Sequence, residues 1–373
     1  MNIVVLGAGL VGKAIAIDLA KDFDVTAVDI DEQSLSALNG NTNISVKRAD
    51  LSEREALAQI VKDFDLVISA VPGSMGYRTL ETVIQSGKNC VDISFFGQDP
   101  FALDEPARQN NVTAVVDCGV APGMGNLILG YYNTRMTVDS FECYVGGLPV
   151  TRSWPYEYKA PFSPSDVLEE YTRPARLVEN GAVVTKPALS EPELMEFDGI
   201  GTLEAFNTDG LRSLLTTMRI PNMKEKTLRY PGHIQLMRIF RETGFFDTNE
   251  ITIGGVPVRP VDFTSRLLFP RWKLGETEDE FTVMKILIKG KMNNKQKNIE
   301  YYLYDRYDPE SRTSSMARTT GYTCTAVAHL LANGDYHQKG ISPPEYLGAD
   351  EKNFEKILAY LRQRNVQYIK TEQ

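Results

Sequence analysis

Metal-ligating and redox-active residues are scarce in this 373-residue chain, which has three histidines (His233, His329, His337) and four cysteines (Cys90, Cys118, Cys143, Cys324). The cysteines are scattered without a CxxC, so a zinc site of clustered thiols and imidazoles is excluded and no metal is expected. Unclustered thiols also point to a reduced, cytoplasmic setting. No apolar run approaches the ~18 residues a membrane span needs. The amino terminus is apolar but has no basic flank and runs straight into glycines, so no signal peptide is expected. Basic blocks are missing too, and the net charge is −9, which makes nucleic acid and anionic membrane unsuitable partners. What remains is ordinary globular composition, 42% apolar and 24% charged. At ~150 residues per domain the length suggests two domains.

Short apolar segments alternate with amphipathic ones over the first 120 residues. Candidate strands are 2–6, 24–28, 44–48, 66–69, 89–92 and 113–116, with helical stretches near 10–21, 31–38, 52–61, 77–86 and 103–110. Ser52 to Glu55 has capping-box spacing and predicts a helix start. Strict alternation implies a parallel sheet with right-handed crossovers, and six strands match two mononucleotide-binding halves. The predicted fold class is α/β, a Rossmann-type doubly wound sheet, joined to an α+β domain with a largely antiparallel sheet.

Gly7-Ala8-Gly9-Leu10-Val11-Gly12 lies where the first strand meets the first helix. Gly7 permits the tight turn, Gly9 lets a pyrophosphate approach the backbone, and Gly12 lets helix and strand pack closely. The helix amino terminus offers N–H groups to phosphate. Asp29 ends the second strand, where a carboxylate accepts from a ribose diol and repels a 2′-phosphate. No cation occupies positions 29–34, so NAD is the expected cofactor. Asp50 and Leu51 either flank the adenine or begin a helix. Ala70, Val71 and Pro72, after the fourth strand, sit at the switch point where the nicotinamide half belongs, unless they form a plain turn.

After residue 122 the alternation stops. Asn180-Gly181 predicts a tight hairpin between 176–179 and 182–185, and 281–289 with 298–304 predicts a second around a basic loop tip at 291–297. Ser163-Pro164 predicts a capped helix start. Ala317, Gly321, Cys324 and Ala328 form a small-residue helix face ending at Asn333-Gly334, and a last helix is expected near 351–364. The expected division is 1–122 for the dinucleotide, 123–310 for substrate binding and oligomerisation, and 311–373 as a helical return to the first domain. A homo-oligomer is expected because the aromatic-rich insert has an outer face to bury.

Several passages, in order along almost the whole chain, resemble the saccharopine dehydrogenase family. They are 7–12, Val120-Ala121-Pro122-Gly123, Gly146-Gly147-Leu148-Pro149, Trp154 to Ala160, Glu204 to Leu211, Thr227 to His233 and Lys339 to Glu345. Within that family the chain is most similar to the bacterial branch that deaminates L-lysine. One departure is Ala121, where saccharopine-forming relatives usually place an acid before Pro-Gly. The resemblance implies hydride transfer from the ε-carbon of L-lysine to NAD, hydrolysis of the imine, loss of ammonia and cyclisation of the semialdehyde.

Such a substrate needs a cation for its carboxylate and acceptors for its amines. Arg212 and Arg229 are candidate carboxylate partners, with ion pairing as the alternative. Asn207, Thr208 and Asp209 are candidate ammonium acceptors, or a polar turn. Gly147, Leu148 and Trp154 are candidate walls for the aliphatic stem, with a core role for Trp154 as the alternative. Chemistry at the ε-carbon requires the neutral amine, which costs roughly 4–5 kcal/mol at pH 7 from a reference pKa of ~10.4. Lys159 and His233 are the candidate bases, against a surface lysine and a structural histidine. His329 and His337 read as structural.

Overall fold

The structure, a computed structural model, describes residues 1–275 and 277–373. The chain divides into two compact units, Met1–Thr137 with Met316–Tyr368, and Val138–Ser315 with Ile369–Gln373. The first unit is built on strands β1 (Asn2–Leu6), β2 (Asp24–Asp29), β3 (Ile44–Arg48), β4 (Leu66–Ser69), β5 (Asn89–Asp92) and β6 (Thr113–Val115). They form a parallel sheet in the order 6-5-4-1-2-3, so the chain reverses direction across the sheet between β1 and β4. A seventh strand that the sequence pattern did not announce, Gly340–Ser342, adds beside β6. Val4, Leu6, Val28, Val67 and Val83 lie in one buried cluster, which is why these apolar runs need no alternation.

The helix Ser315–Ala332 carries the predicted small-residue face, and Glu351–Gln363 is the expected last helix. Asp18, 1% exposed on the first helix, ties both to this unit: it accepts from Thr325 Oγ1 at 2.7 Å, Tyr360 Oη at 2.8 Å and Arg364 Nε at 2.8 Å.

The second unit is a mixed, mostly antiparallel sheet. Its strands are β7 (Thr137–Pro149), β8 (Ala175–Glu179), β9 (Ala182–Lys186), β10 (Glu193–Phe197), β11 (Gly201–Asn207) and β12 (Asn222–Arg229), followed by β13 (Ile251–Ile253), β14 (Val256–Val258), β15 (Glu280–Met292) and β16 (Lys295–Arg306). The main order is 10-11-12-7-15-16, closed by Tyr368–Glu372; β13 and β14 stand apart as a two-stranded sheet. The Asn180-Gly181 hairpin forms as predicted, with φ of 51° and 81°.

Three local expectations are corrected. Residues 291–297 are not a loop tip: β15 and β16 stay paired to Met292↔Lys295, and Asn293-Asn294, at φ 51° and 62°, make the turn. Two adjacent asparagines tolerate the left-handed backbone such a turn demands, so the strands continue to them. Ser52 does not cap a helix. Glu53 is the N-cap of Arg54–Val61, and Ser52 instead donates its hydroxyl to Asp50 Oδ1 at 2.7 Å, because that carboxylate is nearer than the helix end. Ser163 precedes Pro164–Thr172 as predicted, but its hydroxyl is engaged with that of Ser165 at 2.7 Å rather than with the helix backbone.

Candidate active site

The glycine loop is shaped by steric necessity. Gly7 sits at φ 98°, and a Cβ there would lie 2.5 Å from the Ala70 carbonyl oxygen. A Cβ on Gly12 would lie 2.0 Å from the Gly7 carbonyl oxygen, so the first helix seats against β1 only because position 12 is bare. Gly9 is different: a Cβ would meet nothing within 4 Å, which leaves open space over the turn. Gly9 is also the N-cap of helix Leu10–Leu19, and no side chain caps it. Leu10, Val11 and Gly12 thus present backbone to that space with the positive end of the helix dipole.

Asp29 holds the loop from the side. Its Oδ2 accepts from Ala8 N–H at 2.6 Å and its Oδ1 from Asp31 N–H at 2.9 Å. Asp31 stays anionic, its carboxyl below the usual range because of Ser34 hydrogen bonds. One cation does reach this edge: Arg48 lies opposite Asp29 in the β2–β3 register, and its Nε donates to the Ile30 carbonyl at 3.1 Å. Asp50 is exposed and held down in pKa by Ser52, and Leu51 beside it is buried, facing a small pocket with Leu57, Met75 and Thr79. Ala70, Val71 and Pro72 follow β4, and Pro72 is the N-cap of helix Gly73–Gln85, again without a side-chain cap. These residues suit a dinucleotide: an open turn over Gly9, an uncapped helix end for phosphate and a carboxylate at the ribose position.

Beyond β4, two acids that sequence reasoning missed are buried. Asp92 ends β5, in register with Ser69 of β4, and is wholly enclosed. Its Oδ1 accepts from Ser94 N–H at 2.6 Å, whereas its Oδ2 has no hydrogen-bond partner. Burial, reinforced by the negative charge of Asp117, pushes its pKa up to about 7. Asp117 follows β6 at φ 53° and is 2% exposed. No sequence motif marks either acid; only the parallel register sets them together.

In the second unit the candidate residues fall into separate groups. His233 and Arg229 do meet, in a buried cluster with Tyr158, Tyr171 and Glu170. Arg229 Nη2 donates to Glu170 Oε2 at 2.5 Å, its Nε to Tyr171 Oη at 3.1 Å, and its guanidinium carbon lies 4.3 Å from the Tyr158 ring centre. His233 Nδ1 donates to the Tyr156 carbonyl at 2.8 Å, which makes Nε2 the acceptor for Tyr171 Oη at 2.9 Å. Burial, then the Arg229 charge, drives its pKa down to about 3. His233, a candidate base by sequence, thus has both ring nitrogens engaged in a dry cluster, where the imidazole stays neutral.

Lys159 lies at the margin of this cluster, its Nζ 3.4 Å from the Lys273 carbonyl and 3.8 Å from Glu278 Oε2. Asp209 is buried and clamped by Arg176, whose Nε and Nη2 each reach a carboxylate oxygen at 2.8 Å. Thr208 Oγ1 meets Thr227 Oγ1 at 3.1 Å, and Asn207 Nδ2 donates to Glu191 Oε2 at 2.9 Å. Arg212 is buried with its backbone at φ 50°, a conformation uncommon outside glycine. Gly147 and Leu148 belong to β7, Leu148 within a core with Leu203 and Leu228. Trp154 does not join the core: it is 89% exposed. Among the described residues no group of three acids, cysteines or histidines is placed to hold a metal, all four cysteines are free and buried, and no helix is long and apolar enough to cross a membrane.

Comparison with known proteins covers both units. The profile of the saccharopine dehydrogenase NADP binding domain matches residues 3–115, and that of the saccharopine dehydrogenase C-terminal domain matches 119–366. The α-aminoadipic semialdehyde synthase of Arabidopsis thaliana is 27% identical over 57% of this chain and 21% of its own length. The NADP-dependent, L-glutamate-forming saccharopine dehydrogenase of Saccharomyces cerevisiae is 24% identical over 67% of this chain and 60% of its own. This chain thus spans between a fifth and three fifths of those relatives. Among solved structures, the apo saccharopine dehydrogenase of S. cerevisiae has the same fold, with a TM-score of 0.79, 17% identity and coverage of 100% of this chain and 99% of that one. A homospermidine synthase from Legionella pneumophila, in complex with NAD, aligns at TM-score 0.69 and 12% identity over 99% and 91%.

Proposed function

The chain belongs to the saccharopine dehydrogenase family, and on that footing we propose that it is an NAD-dependent dehydrogenase that oxidatively deaminates L-lysine at the ε-carbon. Its product is 2-aminoadipate 6-semialdehyde, which cyclises to the piperideine carboxylate. The observation that carries the choice of substrate is the pairing of the cations. Arg229 is neutralised by Glu170 and Arg176 by Asp209. A substrate with one carboxylate suits such a set better than saccharopine, which brings three.

Gly9, Leu10, Val11 and Gly12 hold the pyrophosphate, Asp29 the ribose, Asp50 and Leu51 the adenine side, and Ala70 to Pro72 the nicotinamide side. Bound NAD supplies the hydride acceptor. NAD is favoured over NADP because Asp29, Asp31 and Glu32 gather three carboxylates at the ribose, whereas Arg48 is engaged with Ile30 and Glu32. Arg212, Asn207 and Thr208 orient the amino acid. Lys159 remains the candidate base, and the neutral His233 orders Tyr171 and through it Arg229. Without a strong base near neutrality the rate rises toward pH 10, as free lysine loses its ε-proton.

The protein is assayed for NADH with lysine alone, from pH 7 to 10.5. One ammonia per NADH and a rise with pH are expected. NADH formation from saccharopine but not from lysine would establish the second reading, a saccharopine dehydrogenase, which the curated relatives' names favour. A homo-oligomeric assembly is proposed as well.

A further inference from the structure

The strands of the parallel sheet all turn their carboxyl ends to one edge, and ligands of such sheets bind beyond it. Asp29, Asp92 and Asp117 stand along that edge, after β2, β5 and β6. Asp29 is engaged by the glycine loop. Asp92 has no part in the reaction proposed above, yet it lies one strand away from the turn at Ala70. It is in register with Ser69, and Ile93 N–H donates to the Ser69 carbonyl at 3.0 Å. Adjacent strands are about 4.8 Å apart, so the Asp92 backbone lies that close to the start of the turn. The Asp92 carbonyl in turn accepts from Cys118 N–H at 3.0 Å, which sets Asp117 alongside.

What surrounds the carboxyl is neutral or negative. Ser69 faces it from β4, Ser94 from the turn after β5, and Asp117 and Cys118 from the segment after β6. Cys90 precedes it on β5, and Cys324 approaches from helix Ser315–Ala332. Among the described residues no cation pairs with Asp92, and its wholly buried Oδ2 has no hydrogen-bond partner. A dry carboxyl beside another acid keeps its proton until a positive charge arrives, and burial brings this one to half ionisation at about pH 7.

The oxidised nicotinamide ring carries one positive charge and the reduced ring none. We propose that Asp92 couples the protein to the redox state of its cofactor: it yields its proton to solvent when the oxidised ring binds and holds it when the ring is reduced. The inference rests on the reading that Ala70 to Pro72 face the nicotinamide. Only the carboxyl O–H bond breaks or forms, and the hydride electrons stay on the ring. The carboxylate favours the oxidised form alone, so the protein takes up NAD and releases NADH more readily as pH rises. A tenfold preference is 1.4 kcal/mol, which a unit charge supplies from as far as about 12 Å at an effective dielectric constant of about 20.

The test is isothermal titration of the full chain with NAD and with NADH at pH 5, 7 and 9. NADP and NADPH are run in parallel, since their rings carry the same charges. Affinity for the oxidised form is expected to rise about tenfold from pH 5 to 9, while that for the reduced form changes less than twofold. An indicator dye in weak buffer is expected to report roughly 0.4 of a proton released per oxidised cofactor at pH 7 and none per reduced cofactor. Asp92→Asn is expected to flatten the first profile and abolish the release. Asp117→Asn keeps a residue that tolerates the left-handed backbone at φ 53° and removes one of the charges that hold the Asp92 proton. It is expected to move the rise to lower pH, which a merely structural role for Asp92 would not do. Equal profiles for oxidised and reduced cofactor, or an undiminished rise in Asp92→Asn, would overturn the proposal and leave the cofactor reading standing. Failure to bind either oxidised cofactor would overturn both.

Discussion

Replacing Asp92 by asparagine tests whether the end of β5 stores electrostatic strain. The carboxyl is fully buried, one oxygen is without a partner, and its pKa in the folded protein is about 7. In the unfolded chain it reverts to ~3.9. Between these values the native state binds the extra proton, so stability falls as pH rises from about 4 through about 7. Roughly three pKa units at 1.36 kcal/mol each give a cost of about 4 kcal/mol by pH 8, a large part of a typical 5–15 kcal/mol stability. Asparagine keeps an oxygen for Ser94 N–H and cannot ionise. Urea unfolding of wild type and Asp92→Asn at pH 4.5 to 8.5 should give curves that coincide in acid and separate to about 4 kcal/mol in favour of the variant at the alkaline end. The groups around Asp92 are Ser69, Ser94, Asp117 and the thiols of Cys90, Cys118 and Cys324. The thiols are pushed upward by burial and stay neutral in this range, so Asp117 is the neighbour that modulates the effect. A variant offset that does not change with pH, or an asparagine that destabilises at pH 8, would refute the reasoning.

The imidazole of His233 carries the opposite sign. Its folded pKa of about 3 lies below the unfolded ~6.5, so its contribution is present above pH 6.5 and is lost as pH falls toward 3, about 4–5 kcal/mol in all; His233→Gln should flatten acid unfolding across that window and leave the proposed alkaline rise of kcat/KM in place. Glu170→Gln strands the Arg229 charge and should cost ~3–5 kcal/mol in urea unfolding, whereas Glu170→Gln with Arg229→Met should recover most of it. Asp29→Ser removes a carboxylate from the proposed ribose position and also the acceptor for Ala8 N–H; the ratio of kcat/KM for NAD over NADP should drop about tenfold, some 1.4 kcal/mol, and an unchanged ratio would place the discrimination elsewhere.

The sequence by itself determined the parallel half of this protein and its glycine loop. Those features are local: a strand, a bare turn and a helix follow one another within a dozen residues, and the steric demand at Gly7 and Gly12 is met by atoms of the same βα unit and of Ala70. Periodicity likewise exposed the Asn180-Gly181 hairpin and the helix Ser315–Ala332, since each is written in neighbouring residues. The three-residue strand Gly340–Ser342 is too short to carry a period, and it is a strand only because β6 offers it an edge. Which side chains are paired was settled wholly in three dimensions. Arg229 and Glu170 are 59 residues apart in the chain, and nothing in either passage signals that one neutralises the other. Asp92 and Asp117 sit at the ends of two segments that looked like plain strands, and their charge became costly only when both were sealed from water. Trp154, the most wall-like residue of its passage, stands in solvent, whereas His233, the most base-like, is neutral inside a ring of tyrosines. Burial and charge pairing depend on what the rest of the chain brings alongside, so the residue types showed where ionisable groups were available and the tertiary structure decided which of them keep a charge.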